Sequence, residues 1–146
     1  MRVEQVDHIH IAVKDMNKAV SFFSDLLGIK FSKEFVSEEM KIISRLASIG
    51  PIGIELIQPT SPDSEIAKFI ERRGEGVQAI SLKVPNIDEA VTEAEAKGVR
   101  AVFRVNFPML REVEMHPKDA HGVQIELCQY ETYHPGAFAL FEKSIM

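Results

Sequence analysis

The sequence predicts an α+β fold in which two βαβββ modules join in one curved mixed sheet with a concave cleft. The phrase IELIQP at 54–59 returns as IELCQY at 125–130, which is 71 residues later. At the same separation, the stretch VDHIHIAV at 6–13 corresponds to VQAISLKV at 77–84. In each copy, one strand pattern is followed by a helix pattern and then by three more strand patterns, which indicates a duplicated unit.

The first module is expected over about 4–60 and opens with a strand at 6–13. Side chains alternate between the two faces of a strand. This alternation puts His8 and His10 on one face and Asp7 on the other, together with the isoleucines that follow it.

A helix should follow at about 17–27. Asp15 or Asn17 can cap its N-terminus, and Gly28 can end it in a left-handed conformation. Three short strands complete the module, at about 29–36, 40–49 and 51–58.

The second module is expected over about 76–130. Its helix should begin at Asn86, with Glu89 three residues later as in a capping box, and should end near Gly98. Its strands are expected at about 76–84, 99–105, 111–116 and 122–130.

A linker helix is expected between the modules, over about 64–73, with Ser64 as its cap. A C-terminal tail at 131–146 lies outside both copies. A chain of 146 residues has a typical length for one domain, so we expect a single domain over 1–146.

Composition argues against several functional classes. A net charge of −5 argues against a nucleic-acid partner held by charge. Cys128 is the single cysteine, so an internal disulfide is impossible and a reducing cytoplasm fits best. The sequence contains no apolar run of about 20 residues and no signal-peptide pattern, so we expect a cytoplasmic protein without a membrane partner.

Two glutamates require an explanation, because each stands between aliphatic residues in a strand. If the aliphatic side chains pack against the helices, Glu55 and Glu126 face the opposite side of the sheet, where His8 and His10 also lie. A buried carboxylate needs a cation, a metal ion or a proton. This face is therefore a candidate metal or acid–base site, with a partly solvated strand face as the alternative.

Three stretches resemble the vicinal oxygen chelate superfamily, which includes glyoxalase I, extradiol dioxygenases, bleomycin-resistance proteins and methylmalonyl-CoA epimerase. They are VDHIHIAVKDMNKAVSFFSDLLGI, IELIQPTSPDSEIAKFIERRGEG and HPKDAHGVQIELCQ. The epimerase branch is the most similar. The resemblance implies the glyoxalase-like fold and a small-molecule substrate, such as a CoA thioester.

The resemblance also implies four metal ligands. Three fall on His8, Glu55 and Glu126, with Glu126 and Glu55 as the candidate catalytic carboxylates. The fourth falls on Ala79, whose methyl group cannot bind a metal, and His10 is a possible substitute. The implied ion is divalent (Co, Mn, Zn, Ni or Mg), and a metal-free protein stays an alternative.

Epimerase chemistry also needs an acid opposite the base. The stretch that should carry it, 40–46, has no carboxylate, although Glu38 and Glu39 lie just before it. The turn at 107–111, which is rich in glycine in the epimerases, has no glycine here.

Three functions therefore remain open. The first is a metal-dependent isomerase or lyase acting on a small acyl-CoA or oxo-acid substrate. The second is a metal-free binding protein similar to bleomycin-resistance proteins, and the third is a metal-independent enzyme of the same fold. We expect a homodimer in each case.

Overall fold

The computed structural model describes residues 1–107 and 110–131, so 132–146 of the expected tail and 108–109 of the turn at 107–111 lie outside the described residues. The described part contains eight strands, three α-helices and a short 3-10 turn at Pro117–Asp119. The helices are α1 (Met16–Leu27), α2 (Glu65–Arg73) and α3 (Ile87–Ala96). The strands are β1 (Gln5–Ala12), β2 (Phe35–Ser37), β3 (Ile42–Ile49), β4 (Ile52–Pro59), β5 (Gly76–Lys83), β6 (Ala101–Phe107), β7 (Leu110–Met115) and β8 (Ile125–Gln129).

All eight strands form one mixed sheet in the order β2-β3-β4-β1-β5-β8-β7-β6. β1 pairs in parallel with β4, and β5 pairs in parallel with β8. The register repeats with the sequence, since Ile9 lies opposite Ile54 and Ile80 lies opposite Ile125. The two modules meet through the antiparallel β1–β5 pair, within one chain. The predicted fold class is confirmed.

The helix termini follow the predicted capping residues. The Asp15 side chain accepts a hydrogen bond from the Lys18 backbone N–H, and Gly28 ends α1 with φ of 65°. Ser64 caps α2 by accepting from the Ala67 N–H, and Asn86 caps α3 in the same way. Such caps satisfy N–H groups that have no partner inside the helix.

The prediction for the second strand was wrong in its extent. A strand was expected at 29–36, but β2 covers Phe35–Ser37. Ser32 explains the difference, because its hydroxyl accepts the Leu46 N–H at 3.0 Å while its carbonyl accepts from the Arg45 guanidinium at 2.8 Å. The Ser32 N–H still donates to the Leu46 carbonyl at 2.7 Å, so one backbone bond to β3 remains while side-chain groups take the place of the others.

The alternation predicted for the first strand was also wrong at one residue. A bulge lies between Val6 and His8, because Val6 pairs with Leu82 and His8 pairs with Ser81. Asp7 is the extra residue of this bulge. Its carboxylate contacts the His8 ring, so it does not lie on the opposite face as strict alternation predicts.

Helices pack on both faces of the sheet, and α1 lies on the same face as α3, with its Met16 against Val13 and Leu56. α3 packs on one face against a core that includes Val113, Met115 and Leu127. The linker helix α2 packs on the other face, where its Ile66 joins Ala12 and Ile57. Ala12 and Ile57 share the strand faces of His10 and Glu55, so α2 closes one end of the cleft. None of the described helices has the length and apolar character needed to cross a membrane.

Candidate functional site

Two imidazoles lie side by side on β1. The His8 and His10 rings are stacked, with centroids 4.7 Å apart and planes 14° apart. Their Nε2 atoms are 2.8 Å from each other. Both side chains are buried, with 1% and 6% exposure, as their shared face predicted.

The two glutamates of the repeated phrase flank these rings. Glu55 Oε2 lies 3.6 Å from His8 Nε2 and 3.5 Å from His10 Nε2. Glu126 Oε1 lies 3.4 Å and 3.5 Å from the same two atoms. The structure therefore brings together all four side chains that the sequence singled out, and both carboxylates are buried.

Asp7 fixes the orientation of His8. Its Oδ2 lies 2.7 Å from His8 Nδ1, and a carboxylate can only accept, so Nδ1 carries the proton and Nε2 faces the cluster. Tyr130 donates its hydroxyl proton to the other oxygen of Asp7. A carboxylate behind an imidazole is the arrangement that orients metal-binding histidines in proteins.

The pKa values in the cluster depend on the attraction between His10 and the two buried carboxylates. Burial by itself would lower the pKa of His10, but the carboxylates of Glu126 and Glu55 outweigh it and raise the pKa to about 10. Burial would raise the pKa of Glu126, yet the positive charge of His10 holds it below its usual range. Without a metal ion, a protonated His10 thus balances the carboxylates.

The small side chain of Ala79 makes room for His10 to take the place of the missing fourth metal ligand. Ala79 is buried, with 1% exposure, and lies directly opposite His10 across the β1–β5 pair. Cross-strand partners on one face have Cβ atoms about 4.5–5.5 Å apart. The methyl group of Ala79 therefore leaves room beside it for the His10 ring.

Two carboxylates on β7 were missed by the sequence analysis. Glu112 is buried, and burial together with the Glu126 carboxylate raises its pKa well above the usual range. Glu114 is half-buried, and the same two causes raise its pKa to about 7. The alternation of LREVEM gave a usable signal, since Val113 and Met115 take the helix side and leave both glutamates for the cleft.

The expected acid on β3 is absent, as the sequence showed. Leu46 lies opposite Glu55, and Ser44 lies opposite Ile57, so these two residues are the β3 positions on the cleft face. Both side chains are fully or almost fully buried. Neither can transfer a proton as a carboxylate would.

The donor set fits a divalent metal ion. Within the described residues, ligand atoms of His8, His10 and Glu126 all lie within 4.8 Å of one another. Among the described residues no group donates a hydrogen bond to the buried Glu126 Oε1, and the two Nε2 atoms lie 3.4 and 3.5 Å from it, so this oxygen is available to a metal ion. Two imidazole nitrogens and a carboxylate oxygen are ligands that first-row transition metals accept.

Comparison with known proteins identifies the superfamily. A family model for the Glyoxalase/Bleomycin resistance protein/Dioxygenase superfamily matches residues 7–108. This chain belongs to that superfamily. Human mitochondrial methylmalonyl-CoA epimerase is 30% identical over 129 residues, which cover 86% of this chain and 73% of the human protein.

Solved structures place the chain near the epimerase branch of the superfamily. Methylmalonyl-CoA epimerase from Mycobacterium tuberculosis is 32% identical, with a TM-score of 0.81 over 89% of this chain and 90% of that one. A Streptomyces coelicolor methylmalonyl-CoA epimerase variant in complex with 2-nitronate-propionyl-CoA is 28% identical. Its TM-score is 0.83 over 91% of this chain and 99% of that one.

Proposed function

We propose that this chain is a metal-dependent isomerase that moves a proton at the carbon beside the thioester of a small acyl-CoA. The observation that carries the proposal is the buried cluster of His8, His10, Glu55 and Glu126, whose ligand atoms converge within hydrogen-bond or ion-pair range. The similarity to methylmalonyl-CoA epimerases supports a CoA thioester as the substrate class.

The metal would be held by His8 Nε2, His10 Nε2 and Glu126 Oε1. When bound, a divalent ion supplies a Lewis acid that polarises a carbonyl oxygen and so makes the neighbouring C–H more acidic. Asp7 keeps the His8 lone pair directed at the site. Waters can complete the shell, since catalytic metal sites keep an open position.

Glu55 is the best candidate for the proton acceptor. Its Oε2 is 3.5–3.6 Å from both Nε2 atoms, yet it stands outside the tightest group of ligand atoms. A carboxylate beside a metal site, and itself not needed as a ligand, is suited to remove a proton from a bound substrate. The closure of one end of the cleft by α2 limits competing water.

Deuterium exchange tests the proposal. The cobalt-loaded protein should exchange the C2 proton of methylmalonyl-CoA in D2O at least about 100-fold faster than solvent alone, since a positioned base typically contributes that much. Glu55→Gln should lose most of this rate. Glu71→Gln is the matched control, because Glu71 is exposed on α2 and is not part of the cluster that α2 forms with β1 and β4.

Three other outcomes would point elsewhere. Exchange that persists in chelated protein, with no metal detected by mass spectrometry, would indicate a metal-independent enzyme. Saturable binding of the thioester without exchange would indicate a binding protein. If the protein neither exchanges nor binds methylmalonyl-CoA and ethylmalonyl-CoA, the proposed substrate class is contradicted.

A further inference from the structure

The cleft contains more carboxylates than a metal site needs. Glu112 and Glu114 project from β7 on the face opposite Val113 and Met115, which pack against α3. A proton or a cation must offset each buried carboxylate, so keeping these two carries a cost in stability. Such a cost is expected where the groups have a chemical role.

Glu114 is the more accessible of the two. It lies directly opposite Glu126 on the neighbouring strand. Glu114 is half-buried, whereas Glu112 is buried, with 8% exposure. The Gln124 amide lies 3.4 Å from Glu114 Oε2 and also donates to the Met115 carbonyl at 2.9 Å. Because directly opposed residues share a face of the sheet, Glu114 lies on the cleft face with Glu126, and its partial exposure leaves it accessible to a ligand.

Strand order places Glu114 across the cleft from Glu55. β4 and β7 stand on opposite sides of β1, β5 and β8, and the candidate metal ligands come from β1 and β8. A substrate held over these central strands would have Glu55 on one side and Glu114 on the other. On the Glu55 side, β3 offers Ser44 and Leu46 and no second acid.

We propose that Glu114 is the second proton-transfer group, which protonates the substrate carbon on the face opposite Glu55. This inference rests on the proposed function. Glu55 takes the C2 proton, and the electron pair of the broken C–H bond moves toward the thioester carbonyl. The Glu114 carboxylic acid then gives its proton to C2 from the other side, which inverts the configuration. Exchange with solvent resets both carboxyl groups.

A single assay separates inversion from exchange. Each enantiomer of methylmalonyl-CoA is incubated in D2O with the cobalt-loaded protein, and deuterium content and configuration are followed together. Wild type should exchange and invert both enantiomers. Glu114→Gln should still exchange the enantiomer whose proton faces Glu55, but inversion should fall at least 100-fold and exchange of the other enantiomer should fall with it.

Cobalt titration and a melting curve provide readouts that do not depend on activity. Glu114→Gln should bind cobalt within about threefold of wild type and should melt cooperatively. Inversion at the wild-type rate in this variant would overturn the inference while leaving the proposed function intact. Loss of cobalt binding would also overturn it, because Glu114 would then be a ligand. A wild type that neither exchanges nor inverts would overturn both.

Discussion

The two modules share a backbone plan but divide the chemistry between them. Module 1 supplies both imidazoles, His8 and His10, from β1. At the corresponding positions of β5, module 2 has Ala79 and Ser81, which pair across the sheet with His10 and His8. The nitrogen donors of the candidate site therefore come from one half of the molecule.

The carboxylates of the cleft are more numerous in module 2, which has Glu112 and Glu114 in addition to Glu126. Glu112 of β7 lies opposite Cys128 of β8. The corresponding residue in module 1 is Ser44 of β3, which lies opposite Ile57 of β4. Likewise, Glu114 corresponds to Leu46. A duplicated fold brings equivalent positions to one cleft, so a ligand or an acid lost from one copy can be supplied by the other. In the proposed site, His10 replaces the ligand that is missing at Ala79, and the β7 glutamates supply the acids that β3 lacks, as this compensation predicts.

Removing an imidazole from module 1 should have the largest effect. His10→Asn should weaken cobalt binding at least 100-fold, about 2.8 kcal/mol, because the fourth ligand position at Ala79 offers no replacement. Titration calorimetry measures the change. His121→Asn, at an exposed loop histidine, is the control and should bind like wild type. Equal affinity in the two variants would show that His10 is not a ligand.

Returning an imidazole to module 2 tests whether the two positions compete. Ala79→His alone should cost roughly 1–3 kcal/mol of stability, because Ala79 is buried opposite the His10 ring. The double variant His10→Ala with Ala79→His should regain most of that stability and bind cobalt at least tenfold more tightly than His10→Ala alone. Melting curves and cobalt titrations report both quantities. A tighter, fully stable Ala79→His single variant would mean that the position is vacant and not occupied by His10.

The carboxylate behind His8 should have a smaller effect. Asp7→Asn should weaken cobalt binding about tenfold, since it keeps the shape but removes the charge that orients and polarises the imidazole. Tyr130→Phe removes only the hydroxyl that also contacts Asp7 and should change affinity less. If the Tyr130 variant is affected more strongly than the Asp7 variant, the histidine is oriented in another way.

The crowding of carboxylates in module 2 predicts a modest pH effect on the metal-free protein. The pKa of Glu114 is raised to about 7 in the fold, so the folded state binds more protons than the unfolded state between about pH 4.5 and 7. Stability should therefore fall as pH rises through this window, by on the order of 1 kcal/mol from this residue. Glu114→Gln should reduce that fall in melting curves at pH 5 and pH 7.5. An identical fall in the variant would assign the effect to another group.

Much of the fold followed from local sequence patterns. Asp15, Ser64 and Asn86 cap the three helices because short polar side chains satisfy free N–H groups wherever they occur. The strand register followed from the repeat of 71 residues, which the pairs of Ile9 with Ile54 and Ile80 with Ile125 confirm. The extent of β2 did not follow, because it depends on Ser32 meeting Leu46 across the sheet.

The candidate site was predictable only in part. The alternation of side chains along the strands placed both histidines and both glutamates of the repeat on one face. The structure brings these four side chains together. The position of Asp7 was not predictable, because a bulge that depends on pairing with β5 sets it. The β7 glutamates were overlooked because LREVEM also reads as an ordinary exposed strand. Their burial depends on β8 lying beside them.

X-ray absorption spectroscopy of the cobalt-loaded protein tests the division between the modules most directly, because it counts imidazole ligands. Two imidazoles per cobalt are expected in wild type, and one is expected in whatever fraction of His10→Asn still binds the ion. One imidazole in wild type, or no stoichiometric cobalt, would contradict the account that module 1 supplies both nitrogen donors from a single strand.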